Sequence, residues 1–137
     1  MIYTSYFAKM KKFPSNMIPV AICGSIPEWY KGLWYRKPAP KWGFFSQWKQ
    51  NHDNEFYIEH YNAEVLDQLD YSMVLNDLQL LVPMDQRAEM QEPIWRDPDH
   101  HLVLLCYEKS GDFCHRHLFA DWLNKKAGIN ITEWSDN

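Results

Sequence analysis

The chain has 137 residues, 46% of them hydrophobic, 16% aromatic and 23% charged, with a net charge of −4. That length suits a single domain, 1–137, with a real core. No run reaches the length of a membrane span or of an export signal, so a cytoplasmic protein with no membrane partner is expected. Three cysteines, an odd number in such a chain, speak against a disulfide scaffold.

The charge is unevenly spread. Residues 1–50 hold eight Lys/Arg and one acid, whereas residues 51–137 hold six Lys/Arg and 17 acids. A negative total argues against nucleic-acid binding, but a basic first third asks for an anionic partner.

Ile2 to Phe7 is β-branched and aromatic and reads as a first strand. Lys9 to Ser15 is a basic connection broken by proline. Met17 to Cys23 is a second apolar run, and it stops at Cys23-Gly24-Ser25. A glycine at the carboxyl end of a strand allows a ligand to approach the backbone, and it equally suits a plain turn.

Ile26 to Trp48 interleaves Trp29, Tyr30, Trp34, Tyr35, Trp42, Phe44, Phe45 and Trp48 with Lys31, Arg36, Lys37 and Lys41. Three prolines deny it a long helix, so an ordered loop or lid is expected, with a short helix from Gly43. Cations for a phosphate and flat faces for a base suit a nucleotide or a single-stranded nucleic acid; packing over a sheet edge uses the same residues. Trp34 and Trp42 are the candidate stacking residues.

Asn54 to Leu69 and Ser72 to Val82 carry apolar residues at helical spacing, and Pro83 stops the second. Met84 to Pro98 reads as loop or frayed helix. Leu102 to Cys106 is a buried parallel strand by length and composition. Lys109 to Asp112 is a turn, with Asp112 as N-cap and Phe113 as first residue of a helix running to Gly128. Ile129 to Trp134 closes the chain as a strand. The order gives an α/β fold with a mainly parallel sheet and flanking helices.

Cys106-x-Glu108-Lys109, a short loop and Cys114-His115-Arg116 opening a helix resemble the signature of the bacterial family catalogued as domain of unknown function 488. Ile2 to Ser5, Pro40-x-Trp42, Phe56, Tyr61 and Leu66 add weaker matches. The resemblance implies a small α/β domain with a Cys/His/Arg corner, and it implies no established reaction.

A cysteine in the first turn of a helix, beside His115 and Arg116, is favoured as a thiolate. Cys114 is therefore a candidate nucleophile, or else a buried structural thiol. His115 and Glu108 are candidate proton carriers. Arg116 can grip an anion or pair with Glu108. With Cys106, Cys23, Gly24 and Ser25, these residues outline an anion site at the carboxyl edge of the sheet. A Cys-x5-Arg phosphatase loop is absent, since nine residues separate Cys106 from Arg116. There is no Cys-x2-Cys pair, and adjacent Cys114 and His115 would point apart on a helix, so no metal site and no resident cofactor are expected. Cys106 and Cys114 could instead form a redox pair. Two classes stand: an enzyme-like domain acting on an anionic small molecule or nucleotide, and a non-catalytic module that binds single-stranded nucleic acid or a protein through residues 29–49.

Overall fold

A computed structural model describes residues 1–136. Five parallel strands form one sheet in the order β3-β2-β4-β1-β5. The strands are β1 (Ile2–Tyr6), β2 (Met17–Ala21), β3 (Leu33–Trp34), β4 (His101–Cys106) and β5 (Thr132–Glu133). The helices are α1 (Trp42–Asn51), α2 (Asn54–Glu64), α3 (Tyr71–Leu81), α4 (Met84–Glu89) and α5 (His115–Ala127). A 3-10 segment, Phe7–Lys12, follows β1.

Strand β4 is central because every one of its residues after His101 is apolar and buried. Alternation sends Leu102 and Leu104 to one core, with Ile2, Ile18, Val20 and Ile22, and sends Val103 and Leu105 to a second, with Phe7, Met17 and Ala21. The first core is the larger, and α1, α2, α3 and α5 cover it with Phe44, Tyr57, Tyr61, Val74, Leu78, Phe119 and Leu123. The second is covered by the 3-10 segment and the loop through Tyr30. The sheet is thus covered by helices on one face only.

This division follows from handedness. The connections β1→β2 and β2→β3 run toward the β3 edge, while β3→β4 and β4→β5 run back. Connections in opposite directions share one hand only if they use opposite faces of a parallel sheet. The loop after β2 and the loop after β4 therefore leave neighbouring strands toward opposite faces. Their carboxyl ends part there, and a crevice opens between them.

Local sequence explains the helix starts. Asp53 accepts from the Phe56 amide at 3.2 Å, and Asp70 accepts from the Ser72 amide at 2.9 Å, both as N-caps. The expected single helix 54–69 ends earlier, at Glu64, and gives way to a 3-10 turn over Leu66–Gln68. Strand β3 lies within the segment read as loop. Only two residues pair, and Tyr30 anchors their approach: its hydroxyl accepts from the Ala21 amide at 3.1 Å and donates to the Leu33 carbonyl at 2.5 Å.

Candidate functional site

The crevice between β2 and β4 is a cleft of about 740 Å³. Its floor holds Cys106 and His115, one wall holds Cys23, Gly24 and Ser25, and the lip of β4 adds Tyr107 and Glu108. The opposite wall is the basic aromatic segment: Arg36, Lys37, Lys41, Trp42 and Phe45. Trp42 is 71% exposed, and its ring stands 6.2 Å from that of Phe45. Lys37 is held by Asp77 at 2.8 Å. Trp34 does not line the cleft but braces its wall. Its indole donates to the Cys23 carbonyl at 2.8 Å, and the Arg36 guanidinium lies 4.7 Å from its ring centre.

The loop leading to α5 is a tight turn, closed by the Asp112 amide donating to the Lys109 carbonyl at 3.1 Å. Gly111, at φ 91°, takes the position that only glycine occupies cheaply in a type II turn. The helix then starts two residues later than the sequence suggests. Cys114, not Asp112, is the N-cap, with extended φ −157° and ψ 144°, and His115 is the first helical residue.

That shift corrects a second expectation. Cys114 and His115 are not one helical step apart, so their side chains converge. Cys106 and Cys114 are joined as a disulfide, and the His115 Nδ1 lies 3.8 Å from the Cys114 sulfur. The ligand atoms of Cys106, Cys114 and His115 all lie within 4.8 Å of one another, and all three residues are buried. A metal-capable cluster therefore exists where spacing argued for none.

The tautomer of His115 follows from its neighbours. Its Nε2 stands 2.8 Å from the Ile22 carbonyl, which can only accept, so Nε2 carries the hydrogen and donates. Nδ1 is left with its lone pair facing the sulfurs. Burial drives the His115 pKa down to about 4, so the ring is neutral at neutral pH. Ile22, not Glu108, orients this ring.

Arg116 is also placed differently from the sequence expectation. It is fully buried, and it does not line the cleft. Its Nε and Nη2 donate to the two oxygens of Glu133, and Nη1 donates to the Glu108 carbonyl at 2.7 Å and to the Cys106 sulfur at 2.9 Å. Each of the three guanidinium nitrogens thus has a partner within the protein. Glu133, 17 residues away on β5, gave no signal in the sequence.

Cys106 borders the main cleft, whereas Cys114 borders a smaller hollow with Trp48, Tyr57 and Phe113; both cysteines are buried. Cys23 is a free, buried thiol, and its S–H donates to the Ser25 carbonyl at 2.9 Å. Burial pushes its pKa up to about 11, so it stays protonated. The cleft residues Arg36, Lys37, Lys41 and Phe45 were not singled out as site residues; their interleaving with tryptophans was the available signal.

An all-parallel α/β domain with a cysteine–histidine cluster beneath a switch-point cleft is the class that fold and site define. Residues 9–127 match the family model described as the Active DUF488-N3 subclade, and the chain belongs to the DUF488 family. No curated protein matches it. No solved structure matches it either.

Proposed function

We propose that this chain is an enzyme-like domain that binds a nucleotide or another phosphorylated aromatic anion in the β2–β4 cleft. The Cys106–Cys114–His115 cluster is the reactive floor of that cleft. The observation that carries this reading is the composition of the β2–β4 cleft: three cations, an exposed Trp42, and the cluster below them. Its volume is in the range of small-molecule sites, and it suits one nucleotide better than a long strand. Lys41 and Arg36 attract the phosphate, Trp42 and Phe45 offer faces to the base, and the Gly24 backbone permits close approach.

In the reduced protein Cys106 is the cleft-facing thiolate, stabilised by the Arg116 N–H. The neutral His115 accepts a hydrogen bond from the Cys114 thiol at Nδ1. Among the described residues no helix is long and apolar enough to cross a membrane. We place the activity in the cytoplasm, where thiols are kept reduced.

A second reading is a module for single-stranded nucleic acid, favoured by the exposed Trp29, Trp34 and Trp42 on one basic segment. Calorimetric titration separates the two. Saturable binding of a mononucleotide, weakened by Trp42→Ala, supports the cleft reading. Affinity that appears only with oligonucleotides and falls steeply with salt supports the module.

A further inference from the structure

We infer that in the reduced protein Cys106, Cys114 and His115 form a binding site for a zinc-class divalent cation, with one coordination position opening into the cleft. This deepens the reading of the cleft, and it is tested without any nucleotide.

The donor set is two sulfurs and one imidazole nitrogen, which selects Zn²⁺ or Co²⁺ over the hard cations that prefer oxygen. Metal–sulfur and metal–nitrogen bonds of about 2.3 and 2.0 Å place S and N about 3.6 Å apart at tetrahedral angles. The Cys114 sulfur and His115 Nδ1 stand 3.8 Å apart. The Cα atoms of the two cysteines are 7.5 Å apart, so their sulfurs can separate around an ion without the backbone closing in.

The surroundings are those of a ligand set. The Nε2–H of His115 is fixed on the Ile22 carbonyl, which turns the lone pair of Nδ1 inward, the usual second contact of a metal-binding histidine. Arg116 donates to the Cys106 sulfur and favours its thiolate. Two buried thiolates facing each other are costly without a cation between them. Three protein ligands leave one tetrahedral position, and Cys106 and His115 both border the cleft, so that position meets the cleft's occupant. Such three-ligand sites hold water or substrate in the fourth place.

The oxidised pair cannot bind, because the disulfide sulfurs carry no charge. Opening the bond takes two electrons and two protons, supplied in the test by a phosphine reductant in water that becomes its oxide. The full chain is reduced in this way without oxygen, freed of reductant and titrated with Co²⁺. The expected result is a sulfur-to-cobalt charge-transfer band with visible bands of tetrahedral intensity, saturating at one ion per chain and displaced by Zn²⁺. His115→Gln should weaken binding at least tenfold while keeping the charge-transfer band. The wild-type band intensity counts thiolates, and two per ion are expected, which needs no variant to fold. Absence of the band in the reduced wild type, or unchanged affinity in a folded His115→Gln, overturns the site. Nucleotide binding measured separately stands or falls independently.

Discussion

Arg116 and Glu133 form a two-pronged ion pair, Nε to Oε1 at 3.1 Å and Nη2 to Oε2 at 2.8 Å, that ties the first turn of α5 to the edge strand β5. Glu133 also accepts from Thr4 and from Ser110, each at 2.6 Å. Removing one partner leaves the other charge unpaired inside the protein. Arg116→Ala should therefore destabilise the fold by about 3 kcal/mol, seen as a lower midpoint in urea denaturation. A stable Arg116→Ala that loses only anion binding would show that the guanidinium serves ligand after all.

Asp97 carries the loop before β4. Its carboxylate accepts from the backbone of Gln91, Asp99 and His100 and from the His100 ring. Burial opposes the charge, but these donors outweigh it and hold the pKa down to about 2. A depressed carboxylate contributes stability above its unfolded value, near 4, and loses it as pH falls toward 2. Melting temperature should drop across that window, and Asp97→Asn should flatten the drop while lowering stability at pH 7.

Gly32 leaves room for the Tyr30 phenol. A Cβ there would collide with the ring and hydroxyl of Tyr30. Gly32→Ala should displace the phenol, free the Ala21 amide and cost about 2 kcal/mol. Chemical denaturation measures it, and an unchanged midpoint would mean that the loop yields.

The thiol count should follow the redox state. Denatured without reductant, the protein should give one thiol, Cys23, to a disulfide-exchange dye, and after reduction three. Three thiols before reduction in protein kept from air would mean that the pair is resident as the dithiol.

Much of the fold was legible because periodicity reports burial. Strand β4 shows as an unbroken apolar run, and α3 as a helical stripe ended by Pro83. Strand β3 was not legible, since two residues within a proline- and tryptophan-rich loop carry no period; Tyr30 makes it. The Cys114–His115 convergence was hidden for a related reason. Reading Asp112 as the cap put both residues on a helix, and only the turn at Gly111 moves the start to His115. The Arg116–Glu133 pair depends on β5 lying beside β1, a long-range fact. The cleft's cations were visible as a basic segment, but which of them face β4 depends on the sheet order.

Trp42 should supply stacking energy to the bound ligand. Trp42→Ala should weaken nucleotide binding by about 1–2 kcal/mol, roughly tenfold, with no loss of fold because its ring is exposed.

The cleft itself is most directly tested by the seven tryptophan indole N–H signals in a nitrogen–proton NMR spectrum. Adenosine monophosphate should shift the signals of Trp42, in the cleft wall, and Trp34, bonded to Cys23. Trp95 and Trp122, which border other hollows, should stay fixed. If no indole signal moves with mono-, di- or triphosphates, or if only Trp95 and Trp122 move, the β2–β4 cleft is not the binding site.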